Sequence, residues 1–282
     1  MTARAAKLSF VNRTCTSAEL VVVQNCDSGQ PQNLLEPVIH AGPCPPTDEV
    51  RGPYVGETRK ERVLDMASSK VAIIGSGDVG KALADGFLAH GHPVMRASRD
   101  PSKLEDWKAG AGGAASTGTF EEAAKWGDLV VLAVKGTAAE SAVELCGVEN
   151  LADKTVIDTT NPIANQPPQN GVLSFFTRFD DSLMERLQRK APEAHFVKAF
   201  SCVGNASMVD PDFGGQRPTM FICGNDDAAK AQVATILDDF GWETEDMGTV
   251  EAARAIEPLC ILWCIPGFTR NQWTHAFKLL KP

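Results

Sequence analysis

Gly75, Gly77 and Gly80 stand at G-x-G-x-x-G spacing between an apolar run, "KVAIIG", and a helix-periodic stretch, "VGKALADGFLAHG". In that setting each glycine has a separate use. The first permits a tight turn, the second lets the backbone approach a pyrophosphate, and the third lets strand and helix pack closely. The loop from Gly75 through Ser76, Gly77, Asp78 and Val79 to Gly80 then offers main-chain amides at a helix N-terminus, where the dipole also favours an anion. The chemistry expected is the holding of a dinucleotide.

The end of the following strand distinguishes one dinucleotide from the other. An Asp or Glu about 20 residues on would hold a ribose 2'-hydroxyl. This chain has Ala97-Ser98-Arg99-Asp100 instead. A hydroxyl followed by a guanidinium suits a 2'-phosphate, since Arg carries several donors and a permanent charge. Asp100 lies one step further and is read as opening the next helix, and strand alternation turns Arg96 away from Ala97. The expected ligand is NADP(H).

These residues need a scaffold that brings them to one edge. From Lys70 onward short apolar runs alternate with amphipathic ones: "KVAIIG", "HPVMRAS", "AAST", "DLVVLAV", "KTVIDTT", "HFVKAF", "PTMFICG" and "WETEDMG" read as strands. The stretches between them carry helical periodicity. The pattern predicts an α/β fold of Rossmann type, a doubly wound, mostly parallel sheet with helices on both faces. A short apolar helix from about Val250 to Trp263, interrupted at Pro258, closes the chain. Residues 1–65 differ in kind, with Gly/Pro clusters, no Trp and a single Phe. They are read as a disordered or non-native extension carrying at most one isolated strand, "ELVVVQN". Residues 66–282, beginning at Met66, are read as the folded domain.

Composition removes several classes of function. A net charge of -9 argues against nucleic acid and against an anionic membrane surface. No apolar run reaches the roughly 18 residues that a spanning helix needs. The eight cysteines lack metal-ligand spacing, so no metal is expected, and Cys260 with Cys264 reads as a pair of small side chains in an apolar helix. Reduced thiols fit a cytoplasmic protein. Basic residues near the N-terminus keep organelle import as the less favoured alternative.

The strings "KVAIIGSGDVGKALADGFLAHGHPVMRASRDPSKL", "VVLAVKG", "VIDTTNPI", "FVKAFSCVG" and "FICGNDDAAKAQVATILDDFGWETEDMG" resemble the NADPH:deazaflavin oxidoreductases. They are similar also to the cytoplasmic domain of the six-transmembrane metalloreductases. The resemblance runs from about Lys70 to the C-terminus. It implies NADP-binding roles for the loop Gly75–Gly80, for Ser98 and Arg99, for Val134 and Lys135, for Asn161 with Pro162, and for Ala199. It also implies a flavin or deazaflavin as co-substrate. Each position ends a predicted strand, where open parallel sheets bind ligands. Asn161 also offers a donor and an acceptor to a carboxamide, with Pro162 fixing the turn behind it. Where relatives carry Asn after "KAF", this chain has Ser201, and without the six-helix domain, metal reduction across a membrane is not expected of it.

The reading is an NADPH-dependent oxidoreductase that passes hydride to a small flavin-like or other acceptor. Such a transfer needs two aligned rings rather than a protein acid, and no catalytic acid or base is assigned. His90 and His92 are read as surface or cap residues, and His195 begins its strand at the wrong end. His275 is the one histidine that could reach an acceptor, without being assigned that role, and Lys135 could touch phosphate or substrate or be a solvated loop lysine. Two alternatives stay open, an NADP(H)-binding redox sensor and an imine or pyrroline-carboxylate-type reductase. Trp263, Phe268 and Trp273 supply more aromatic surface than a lone sheet edge requires, which suits core packing, a flavin platform or a homodimer contact.

Overall fold

In the computed structural model the described residues are 69–282 and three strands nearer the N-terminus, β1 (Lys7–Val11), β2 (Ser17–Val21) and β3 (Pro37–Ile39). The chain divides into two units, Met1–Gly56 and Glu57–Pro282. In the first unit β2 pairs antiparallel with β1 and with β3. Of the segment expected to be an isolated strand, the described part, residues 19–21, lies in β2 between two partner strands. The remaining expectations for residues 1–65 lie outside the described residues.

The second unit is built on an eight-stranded sheet. Its strands are β4 (Val71–Ile74), β5 (Val94–Ala97), β6 (Ala115–Gly118), β7 (Leu129–Leu132), β8 (Thr155–Asp158), β9 (His195–Lys198), β10 (Thr219–Gly224) and β11 (Glu243–Asp246). Their order is β11-β10-β9-β8-β7-β4-β5-β6, all neighbours being parallel except β9 and β10. The chain leaves β4 in one direction through β5 and β6, then returns to lay β7 on the other side. That reversal opens a crevice between the ends of β4 and β7, the place where sheets of this kind take ligands.

Near-continuous apolar strands make two cores, because alternate side chains point to opposite faces. Ala72, Ile74, Val130, Leu132, Val156 and Phe196 face one layer, while Val71, Ile73, Val131, Ile157 and Val197 face the other. The first layer is covered by α3 (Phe120–Trp126), α4 (Gly136–Cys146), α5 (Leu183–Lys190) and α7 (Ala253–Ile256). The second is covered by α1 (Asp78–Ala89) and α6 (Asp227–Asp239). Between β5 and β6 a short 3-10 turn, Pro101–Leu104, leads into α2 (Glu105–Gly110).

The apolar C-terminal stretch forms α8 (Leu259–Arg270), which runs one to two turns beyond the expected end. Pro258 stands between α7 and α8, as its missing amide hydrogen and fixed φ demand. Among the described residues no helix is long and apolar enough to cross a membrane.

Candidate nucleotide-binding cleft

A cleft of about 580 Å³ lies at the crevice between β4 and β7. Gly75, Ser76 and Gly77 form its floor, Ser98, Arg99, Asp100 and Lys103 one end, and Val134, Lys135 and Thr137 the other. Two backbone turns meet beneath it. Gly75 has φ +149°, and a Cβ there would run into the Ala133 carbonyl. A Cβ on Gly80 would stand 2.5 Å from the Gly75 carbonyl. Gly77 is different, for a Cβ there would meet nothing within 4 Å. Its lack of a side chain is not needed by the fold; it leaves the loop's outer face bare.

Side-chain caps are present on α3, α5 and α6 and absent from α1, α2, α4, α7 and α8. Thr119 closes α3 with a capping box to Glu122, Ser182 accepts from the Glu185 amide at α5, and Asp226 accepts from the Ala229 amide at α6. The helices opening on the cleft, α1 behind Gly77 and α4 behind Lys135, have no side-chain cap. Their first amides point to a site for external acceptors, and the dipoles favour anions. Arg99, Lys103 and Lys135 outnumber the one lining carboxylate, Asp100. A cation-rich cleft on a chain of net charge -9 focuses an anionic ligand where the rest of the surface repels it.

Asp100 does open the next element. Its Oδ1 accepts from the Ser102 amide (3.3 Å) and hydroxyl (2.6 Å), capping the 3-10 turn. The Ser102 hydroxyl bond is the main reason its carboxyl sits below the ordinary range. Ser98 is buried and accepts from the Asp100 amide at 3.2 Å, while Arg99 is exposed to the cleft. Lys103, in the 3-10 turn that follows, is a lining residue that the strand-end pattern alone did not single out.

Arg96 has a task that alternation placed correctly but left undefined. Its guanidinium lies beneath the glycine loop, donating to the carbonyls of Ser76 (2.8 Å) and Gly77 (2.9 Å) and stacking over Trp107. Burial pulls its pKa down against the pull of Asp85 and Asp78, yet an arginine stays charged. The loop is thus braced from below by a cation. Arg96→Met is expected to raise the KM for the nucleotide about ten-fold, the worth of a charged hydrogen bond. The kcat at saturation should stay within about two-fold, and Arg96→Lys should recover part of the loss; steady-state kinetics check all three.

The remaining expected positions are not in this cleft's lining. Asp78, Val79 and Gly80 make the first turn of α1. Asn161 and Pro162 follow β8, and Ala199 follows β9. Ala199 is wholly buried, with its amide bonded to the Asp158 carbonyl, so it has no side-chain surface to offer. Asn161 is half-buried and donates from Nδ2 to the Ser201 carbonyl at 2.8 Å.

Beneath Asn161 lies a cluster that sequence reading missed. Lys198, fully buried, contacts Asp158 at 2.6 Å, Glu257 at 2.9 Å and the Thr160 carbonyl at 2.8 Å. Asp158 Oδ1 also accepts from the Thr160 amide and hydroxyl. Glu257 accepts from the Leu183 and Met184 amides at 3.0 Å each, completing the N-terminus of α5. Burial alone would lower the Lys198 pKa, but the two carboxylates override it and hold the ammonium above the usual lysine value. No sequence motif joins positions 158, 198 and 257; the pairing of β8 with β9 brings the first two together and the α7–α8 junction adds the third.

The histidines resolve differently from one another. His275 is engaged in a clasp, its Nε2 donating to the Trp263 carbonyl (3.0 Å) while Trp263 Nε1 donates to the His275 carbonyl (2.7 Å). The one histidine that could have reached an acceptor therefore fastens the tail to α8. His90 ends α1 with its ring against Asp210. His92 is buried rather than superficial, with its ring edge-on to Phe87 and bonded to the Ser69 carbonyl. Cys260 is buried and Cys264 partly so on α8, and burial pushes the neighbouring Cys202 thiol up to about 12.

Residues 70–162 match the family model described as "NADP oxidoreductase coenzyme F420-dependent". A solved structure from Arthrobacter sp. FB24, described as a candidate F420-dependent NADP-reductase, is 32% identical, with a TM-score of 0.70 over 76% of this chain and 100% of that one. Metalloreductase STEAP3 of Rattus norvegicus is 30% identical over 203 residues, 70% of this chain. This chain spans 38% of that protein's length. The imine reductase of Streptomyces aurantiacus, 19% identical with a TM-score of 0.51 over 71% of this chain and 62% of that one, shares the fold.

Proposed function

Because the chain belongs to the family of coenzyme F420-dependent NADP oxidoreductases, we propose that it passes a hydride between NADPH and a small flavin-like acceptor. The observation carrying this reading is the pairing of two uncapped helix N-termini with a cation cluster around one cleft. On this reading the amides of the Gly75–Gly80 loop hold the pyrophosphate, and Gly77 leaves room for it. Ser98, Arg99 and Lys103 hold the 2'-phosphate, and Lys135 with Val134 borders the path toward the nicotinamide. Asn161 and Pro162 stand at the far end, along the strand edge that leads to β9. The nucleotide supplies the hydride, and the acceptor takes it on a flat face.

What the protein's own groups do is bind and align. The cleft residues include three cations and one carboxylate, which is chemistry for fixing phosphates rather than for moving protons. Described candidates for proton transfer are tied elsewhere: His275 to Trp263, Lys198 to its two carboxylates. Rate enhancement then comes from holding two rings in register.

Arg99→Asp tests the assignment. Losing a charged phosphate contact and adding repulsion should reduce kcat/KM for NADPH about 100-fold. The value for NADH should change little. The assay is NADPH and NADH oxidation with FMN or a deazaflavin as acceptor. An unchanged NADPH/NADH ratio would refute the 2'-phosphate site.

A further inference from the structure

One carboxylate stands among the cations of the cleft. Asp100 is exposed and lines the same end as Arg99 and Lys103, where the reading above puts a phosphate. Its charge has two effects there. It repels a second anion, and it competes with that anion for the same cations. Which effect dominates depends on where the carboxylate is held.

The backbone brings Asp100 and Lys103 together. The Lys103 amide donates to the Asp100 carbonyl at 3.3 Å, closing the 3-10 turn Pro101–Leu104. Side chains three apart eclipse in such a turn, so an ion pair between these two residues is the natural outcome. The carboxylate is engaged elsewhere. Its Oδ1 accepts from the Ser102 hydroxyl at 2.6 Å and from the Ser102 amide at 3.3 Å. No hydrogen bond joins it to Lys103 or Arg99. The hydroxyl makes the short bond of the two, and the amide bond lies beyond the usual range. Pro101, in between, has no amide to offer. The Asp100 amide donates to Ser98 Oγ at 3.2 Å, which fixes the backbone and leaves only the side chain free to turn.

We infer that Ser102 sets the preference for NADPH over NADH by holding the Asp100 carboxylate off Lys103 and Arg99, so that both cations keep their charge for the 2'-phosphate. This rests on the NADP(H) reading above. Asp100 is then a specificity-determining residue, and Ser102 a positioning residue that acts through it. Released from Ser102, the carboxylate turns onto Lys103 and takes the phosphate's partner as an internal anion. The loss falls on NADPH alone, because the free ribose hydroxyl of NADH brings no charge for the cations to meet.

Calorimetric titration of the full chain with NADPH, NADH and 2',5'-ADP tests this on three variants. Ser102→Ala should weaken NADPH and 2',5'-ADP about ten-fold, and NADH by less than about two-fold. Asp100→Asn keeps an oxygen to cap the turn but loses the charge, and should tighten NADPH about three-fold. With Asp100→Asn and Ser102→Ala combined, NADPH should bind at least as tightly as to the wild type, since the freed side chain is neutral. A merely structural cap would give no such rescue, for a frayed turn stays frayed with Asn in place of Asp. Unchanged NADPH affinity in Ser102→Ala would overturn the inference. So would equal weakening of NADPH and NADH, or a double variant as weak as Ser102→Ala alone. Any of these in a chain whose wild type binds 2',5'-ADP would refute the Ser102 role and leave the proposed function standing. A wild type that bound none of the three probes would refute both.

Discussion

Lys198→Met is expected to cost about 3–5 kcal/mol of stability, because it leaves Asp158 and Glu257 buried without their counter-charge. For a folded unit of this size that is a fall in Tm of roughly 6–20 °C, measurable by calorimetry. The reasoning is one of solvation. Neither carboxylate can be rehydrated where it lies, and their other partners are main-chain amides and the Thr160 hydroxyl, all neutral. Adding Glu257→Gln to Lys198→Met should recover part of the loss, since the amide oxygen can still accept at α5 while one buried charge is gone. The Lys198 pKa lies above its unfolded value. Its contribution is therefore complete below the ordinary lysine range and lost only as pH rises through the higher folded value. Lys198→Met that melted like the wild type would mean the cluster carries no net load.

Gly77→Val should leave Tm unchanged and weaken NADPH binding by more than about 100-fold. The two parts of that expectation come from one observation. A Cβ at Gly77 would meet no protein atom within 4 Å, and the residue has φ -82°, open to any side chain. The space a valine would fill is the space the pyrophosphate needs. Gly75→Ala makes the contrast. There the Cβ collides with the Ala133 carbonyl and φ is +149°, so loop and fold suffer together. Thermal melts beside calorimetric titrations separate the two. Loss of NADPH affinity at Gly75 but not at Gly77 would mean that the loop's bare face is not where the phosphates lie.

The fold was legible because its signals are local. Each strand from "KVAIIG" to "WETEDMG" is short, apolar or alternating, and bounded by Gly, Pro or a helix start, so the alternation alone gives a doubly wound sheet. The glycine loop and Ser98-Arg99 were legible for the same reason, sitting within one βαβ unit. Residues brought together by topology were not. Lys198, Asp158 and Glu257 come from two strands and a helix junction, and a lysine inside a strand reads as a surface residue until its partners are known. Arg96 illustrates an intermediate case. Alternation gave its direction, but the carbonyls of Ser76 and Gly77 that it braces appear only when the loop folds back over β5. His275 shows the converse case: its sequence context assigns it no catalytic role, and the clasp with Trp263 gives it a packing one.

The most direct test of the central claim is calorimetric titration of the purified chain with NADPH and, separately, NADH at low salt. The cleft described here predicts one site for NADPH, at least ten-fold tighter than for NADH, with the gap narrowing as salt screens Arg99 and Lys103. Equal affinities, or no heat with either nucleotide at near-millimolar concentration, would contradict it.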